Sequence, residues 1–417
     1  MNKTCIILVI CLIANCTSRH SQKFSDGTSQ KQLSEEIPII DVEKAIASAT
    51  KFCHLSDIAE RIEYIPLEFT PKCAIGSRTF QVYIASEDIF ILTAQSGSND
   101  LFRFDKTGKF LNVIGKLGRG PGEYFNALYF AVDTTMRQVY VNSGSNLGIN
   151  VYAYEGNYVQ TLKKDYTHSA PFYFFPETNE LAHIGEPPVF YPDDPDKFFV
   201  SITDTDNNRI FHKKYLLSSM ISQGQRAIGH FSSFQSDNGL LLIDAMSDTL
   251  FVYNQYKLSP YFILNYGRYK VTLDAILSSS NGHREALDPY INAIDIVGET
   301  SQFLFLRLSQ GNGKRNYLLQ YDKHSQEYTA FKVKKEEDNP AELFYNDIDG
   351  GLPVIWRFPR YNQLARIIDA YDMKETLTAE YFSKSEAKNL HAKERLKNLV
   401  QSLGDEDNPV IMKIILK

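Results

Sequence analysis

The feature that most constrains this chain is a recurrence of short apolar strands. "QVYIASEDIFILTAQ" followed by "LFRFDKTGKFLNVIG" (residues 81–115) contains four strand-like runs, with Asp and Gly supplying the last turn at residues 105–108. The pattern returns in "QVYVNSGSNLGINVYAYEGNYVQTL" (138–162), where Tyr140 takes the place of Phe90 and Gly156 that of Gly108. A period of about 50 residues filled with four short strands predicts a propeller blade. Echoes continue in "FYFFPETNELAHIG" with "FFVSITDTDNNRIFHKKYL", in "FSSFQSDNGLLLIDAMSDTLFVYNQYKLSPYFILNYG", and in "INAIDIVGETSQFLFLRLSQ" with "RNYLLQYDKHSQEYTAFKV". "LFYNDIDGGLPVIW" opens a sixth unit. At about 60 residues per unit the chain holds six blades, because seven would leave too little for the connections. The expected fold is all-β: a six-bladed propeller over residues 56–417 with a short C-terminal helix and a closing C-terminal strand.

The helix is expected in "SKSEAKNLHAKERLKNLVQSLG", with Ser383 and Glu386 as a capping box, Gly404 as the stop, and Leu396, Leu399, Val400 and Leu403 on one face. An unpaired strand invites aggregation, so a ring must cover its edges. Residues 410–416 are therefore expected to complete the same blade as the early strand near residues 62–69. Composition agrees with sheet: aromatics are 13% of the chain, with 27 Phe and 25 Tyr. The formal charge is −6 with no basic run, which argues against a nucleic-acid partner.

The start reads as an address. Lys3 precedes an apolar run over residues 5–14, too short for the ~20 residues that span a bilayer. Residues 1–15 are expected to be a signal peptide. "LIANC" resembles a bacterial lipobox, with Cys16 as the lipidated residue, although Asn15 departs from the usual small residue. Residues 16–55 would then be a flexible tether, and the protein an outer-membrane lipoprotein held through Cys16. In the body, Cys53 and Cys73 form one disulfide or remain two separate buried thiols. No zinc spacing accompanies them.

These segments together, "SDIAERIEYIPLE", "FRFDKTGKFLNVIGKLGRGPGEY", "SDTLFVYNQYKLSPYFILNYG", "NDIDGG" and "DEDNPVIMKIILK" behind a lipoprotein-like start, resemble the six-bladed β-propeller lipoproteins of gut-type bacteria. The resemblance implies the fold and an envelope location. It supplies no catalytic residues.

Chemistry is harder to read. "GKLGRGPGEY" lacks the Lys-Ser/Thr that opens a phosphate-binding helix, and Gly122 is followed by Glu123, whose charge would repel phosphate. Its glycines suit a bend between blades, leaving Arg119, Glu123 and Tyr124 as loop residues that could line the central channel. "NDIDGG" offers Asp347 and Asp349 as binding residues but lacks the calcium-loop pattern. "YPDDPDKFF" (191–199) reads as a solvated acidic loop. No cofactor, metal or nucleophile motif appears among the nine His or elsewhere. The expected function is a binding module with a glycan, peptide or partner protein at the channel mouth. The alternatives are a lyase or hydrolase in the channel, recognisable by convergent charged side chains from different blades, or a scaffold in an outer-membrane complex. Replacing Cys16 with Ala should abolish incorporation of labelled palmitate and release the protein from membranes, checked by fractionation.

Overall fold

The computed structural model describes residues 37–417 apart from 76–78, 94–98, 143–147, 164–170, 186–198, 207, 222–226, 228–229, 245, 334–341 and 356–362. The expected signal peptide, Cys16 and most of the 191–199 loop lie outside the described residues.

The strands assemble into seven sheets rather than six. Blades 1–5 are antiparallel meanders in chain order: Thr79–Ile84 to Phe110–Val113, Tyr129–Asp133 to Tyr158–Leu162, Phe172–Phe175 to Arg209–Lys213, Phe231–Ser236 to Lys257–Asn265, and Ile291–Glu299 to Tyr328–Lys332. Blade 6 holds Glu342–Tyr345 and Val354–Ile355, and blade 7 holds Ala365–Ile368 and Val410–Leu416.

The last two blades borrow their remaining strands from the N-terminus. Residues 39–66 run as a strap joined in turn to four sheets. β1 (Ile39–Asp41) pairs in parallel with Lys257–Asn265 of blade 4. Thr50 bridges Phe331 of blade 5. β2 (Cys53–His54) pairs in parallel with Glu342–Tyr345 of blade 6. β3 (Ala59–Pro66) then runs antiparallel to Val410–Leu416, with Ile65 opposite Ile411. The expected closure of the ring by its two ends is thus present. The expected blade count fails for a physical reason: blades 6 and 7 each take two strands from the C-terminal part of the chain and one from the strap, so the four-strand period vanishes there. The strap also shortens the expected tether. Residues 37–55 are not free: Ile40, Val42 and Leu55 are fully buried, and Asp41 caps the helix Val42–Ala47 by accepting from the Lys44 amide at 2.9 Å.

Contacts pass around the whole circle. The Gln81 amide side chain donates to the Phe130 carbonyl (2.8 Å) and accepts from the Phe130 amide (3.0 Å), joining blades 1 and 2. Tyr140 stacks on Phe174 at 4.6 Å between blades 2 and 3. Tyr173 meets the Ser233 hydroxyl at 3.1 Å, and Ile296 N–H donates to the Ser232 hydroxyl at 2.9 Å. Phe305 and Phe344 pack edge to face at 5.4 Å, Arg366 donates to the Pro353 carbonyl at 2.7 Å, and Gln363 donates to the Ile84 carbonyl at 3.4 Å. The last of these links blade 7 to blade 1.

The apolar core lies between the blades. Leu92, Phe130 and Tyr152 pack at the first interface, and Ile89, Phe104 and Ile411 at the last. Both faces of each blade are covered, which is why Asp88–Thr93 is buried at every position instead of alternating. The repeat glycines Gly108 and Gly156 share a φ near +90° (+90° and +89°), where a side chain is strained. A Cβ on Gly108 would strike the Pro66 carbonyl of blade 7, and one on Gly156 the Val113 carbonyl of blade 1. The same turn thus docks on the preceding blade twice.

Between Ala365–Ile368 and the closing strand lie three helices, Ala370–Thr376, Ala379–Lys384 and Leu390–Ser402. The last buries Leu396 and Val400 as expected, with Leu403 just beyond it also buried. Its cap is Asn389, which accepts from the Ala392 amide at 2.9 Å. Ser383 instead lies inside the preceding helix, so the expected capping box is not used.

Cys53 and Cys73 are free thiols, both buried, in separate clusters. The disulfide reading is therefore replaced by the reading of two packed thiols. Burial, with Asp57 and Asp347 nearby, pushes the Cys53 thiol up to about 12, which keeps it protonated.

Ile411 is fully buried at the closure. Ile411→Ala should cost about 2–5 kcal/mol. Ile415→Ala, on the same strand but partly exposed, should cost clearly less when both are compared by urea denaturation.

Candidate functional site

The glycine-rich segment between blades 1 and 2 folds on itself. Gly118 N–H donates to the Tyr124 carbonyl and Tyr124 N–H to the Lys116 carbonyl, both at 3.0 Å. The Glu123 carboxylate turns back onto the glycines and accepts from Gly120 N–H at 2.8 Å, with Lys116 at 3.5 Å. The Gly120 amide, then Lys116, hold the carboxyl below its usual range against the opposing effect of desolvation. A Cβ on Gly118 would strike that carboxylate. The glycine bend is thus filled by the loop's own anion, Glu123. Tyr124 is fully buried and donates to the Ile114 carbonyl at 3.1 Å. Arg119 lies over the exposed Phe125 ring at 5.4 Å.

"NDIDGG" is a knot that ties the strap to the C-terminal helices. Asp347 accepts from the Ser56 amide (2.9 Å) and hydroxyl (2.6 Å), and pairs with Lys388 at 2.9 Å. Asp349 accepts from the Asn346 amide side chain (2.7 Å) and Gly351 N–H (2.9 Å). Burial raises the Asp349 carboxyl. Burial also opposes the charge on Asp347, but the Ser56 hydroxyl, the Lys388 ammonium and the Ser56 amide outweigh it and hold the carboxyl at about 2. Ser56 and Lys388 are themselves 2.6 Å apart. Asp347 raises the Lys388 ammonium above its usual range, so Lys388 stays charged and does not serve as a base for Ser56. None of Arg119, Glu123, Tyr124, Asp347 and Asp349 lines the axial concavities described next. Arg119, Glu123 and Tyr124, expected at the channel, are not among the residues that line it: Glu123 and Tyr124 fasten their own loop, while Asp347 ties the strap to Lys388.

The open space lies along the axis. The first strands of blades 1–4 wall a narrow channel segment, about 60 Å³, with Tyr83, Tyr129, Tyr173 and Phe234. It adjoins a wider mouth of about 540 Å³. Here the turns after the first strands of blades 2, 3 and 4 and the last turn of blade 4 converge. They bring together Phe174, Phe175, Glu177, Asp237, Tyr253 and Asn254. Glu180 lies at its floor, buried, accepting from the Tyr253 hydroxyl at 2.9 Å and the Thr178 hydroxyl at 2.7 Å. Burial, then Glu180, drive the Tyr253 hydroxyl above its usual range, so it remains a donor. These residues carry no motif in the sequence. The one available signal was the pairing of aromatic and acidic residues at the turns, as in "FFPETNE".

A second polar group joins blades 4 and 5. Arg307 donates two N–H bonds to Asp295, one of 2.8 Å, and one to Asn316 at 3.0 Å. His230 Nε2 lies 3.3 Å from Asp295 and 3.0 Å from the Ile294 carbonyl. Against the cost of burial, His230 and Arg307 keep the Asp295 carboxyl below its usual range. The same Asp–Arg–Asn trio recurs as Asp88, Arg103 and Asn112 in blade 1. Its repetition fits a locking device, and no motif around His230 marks its place beside Asp295. His183 is packed, with Nε2 3.0 Å from the Thr203 hydroxyl.

A family model described as "Domain of unknown function (DUF4934)" matches residues 37–414. No curated protein matches. A crystal structure of a Bacteroides fragilis protein described as exported is similar to this chain, with a TM-score of 0.63 at 16% identity, covering 89% of this chain and 99% of that one. A member of the DUF4221 family from Bacteroides vulgatus aligns at a TM-score of 0.46 and 13% identity, covering 86% and 98%. The first likeness supports the propeller fold.

A carboxyl whose folded-state pKa lies below its ordinary ~3.9 stabilises fully above that value and loses the contribution as pH falls through the folded value. For Asp347 the loss should run from about pH 4 to 2 and amount to roughly 2 kcal/mol. Asp347→Asn should flatten that part of the stability–pH profile in denaturant titrations.

Proposed function

From the premise that the chain belongs to the DUF4934 family, whose description assigns no activity, we propose that it is a ligand-binding module. Its ligand enters the axial mouth over blades 1–4. The observation that carries this reading is the lining of that mouth. Rings from blades 1, 3 and 4 (Tyr83, Phe174, Phe175 and Tyr253) share one concavity with the amides of Asn254 and Gln255 and with carboxylates. Concavities that combine apolar walls with a few convergent polar groups are where small ligands settle. Ring faces beside hydrogen-bonding groups suit a carbohydrate first, since a sugar has apolar C–H faces and a polar periphery. Peptides and partner proteins are the other occupants a test must include.

The module is proposed to work from an envelope membrane, anchored through Cys16 after removal of residues 1–15. The lipobox-like start and the similar Bacteroides fragilis protein described as exported support this. The strap begins at residue 39, so roughly 20 residues would remain as the tether.

A glycan array probed with full-length protein in detergent should give specific hits. Phe175→Ala should weaken them roughly tenfold, about 1.4 kcal/mol. If no carbohydrate binds, that ligand class is wrong. If a bound sugar is cleaved, the module is an enzyme.

A further inference from the structure

We propose that the ligand of the axial mouth carries a positively charged organic group, an ammonium or guanidinium, seated over Glu180 between the rim carboxylates. This rests on the mouth being the binding site and specifies the chemistry that site selects.

The charge lining is one-sided. Glu177, Glu180 and Asp237 line the mouth, and no Lys, Arg or His does so among the described residues. Glu177 and Asp237 are exposed and taken alone would be ordinary solvated rim residues. Glu180 is different. It is only 1% exposed, and its two carboxyl oxygens meet neutral donors, the hydroxyls of Tyr253 and Thr178. Among the described residues it has no cationic partner, whereas the buried Asp88 and Asp295 each have an arginine. A carboxylate removed from water without a counter-charge is costly, and two neutral hydrogen bonds offset only part of that cost. A cation arriving through the mouth would supply the rest. Low-dielectric walls focus the potential of all three carboxylates into the concavity.

The rings point the same way. Aromatic faces attract cations, and the partly exposed Phe175 and Tyr83 share the cavity with the carboxylates. No three His, Cys, Asp or Glu side chains converge as metal ligands among the described residues. The arrangement therefore suits a large, weakly hydrated organic cation better than a metal ion. An amino sugar and a lysine side chain both present such a group.

The test uses full-length protein in detergent and calorimetry at low and high salt. The probes are glucosamine oligomers, the matching N-acetylglucosamine oligomers, and a lysine oligopeptide. The expected result is roughly tenfold or greater preference for the free-amine sugar over its acetylated, neutral form. High salt and the double variant Glu177→Gln, Asp237→Asn should both erase it. Because those two side chains are exposed, the variant should keep the wild-type melting temperature. Binding of the lysine peptide alone, with the same salt and variant dependence, would uphold the cation and move the ligand class to peptide. Equal affinity for the two sugars would overturn the cation while leaving the carbohydrate reading in place. Binding of none of the three would overturn both.

Discussion

The ring depends on one strand pairing. Val410–Leu416 lies between Ala365–Ile368 and β3, so the two ends of the folded chain meet inside a single blade. A circle of sheets has no exposed lateral face only if it closes, and closure here joins residues about 350 positions apart. The entropic cost of such a loop grows slowly with its length. Seven aligned residues of β3 and the buried Ile411, Met412 and Ile414 outweigh it. The strap extends the same solution, because its segments β1, Thr50 and β2 cover strand edges on three further blades.

Closing the ring moves the core off the axis. Apolar side chains fill the wedges between blades, and the first strands are left to frame a channel. Polar groups around the ring are then committed to holding neighbours in place. Gln81 supplies the hydrogen bonds that no regular ladder provides between adjacent first strands. Glu123 satisfies the amides of a glycine loop, Asp347 joins strap to helix, and Arg307 with Asp295 and His230 joins blade 4 to blade 5. A polar side chain buried at an interface must find such partners or it destabilises the fold. The mouth over blades 1–4 brings rings and carboxylates from separate blades to one concavity.

The motif-like segments misled for the same reason. Glycines beside Arg, Glu and Tyr, or an Asx-rich turn, mark places where the backbone bends sharply, and bends are needed both at binding loops and at structural knots. Whether Glu123 faces a ligand or its own Gly120 amide is decided by a fold of ten residues that spacing alone does not encode. Cys53 and Cys73 were ambiguous in the same way: each lies near the strap or the closing blade, yet the two are packed into different wedges.

The amino-acid sequence by itself determined the local elements. Apolar runs and turn glycines placed the strands of blades 1–5, the recurrence of Gly108 as Gly156 identified the blade unit, and the spacing of Leu396, Leu399, Val400 and Leu403 placed the last helix. The complementarity of the two ends foretold the closing blade. These are short-range properties, written in the order of neighbouring residues. Only the tertiary structure decided that there are seven blades, because strands lent by residues 39–66 complete sheets begun some 300 positions later. It alone decided the mouth as well. Tyr83, Glu180, Asp237 and Tyr253 become neighbours through the curvature of the ring, which brings the turns of separate blades to one axis and leaves no trace in local spacing.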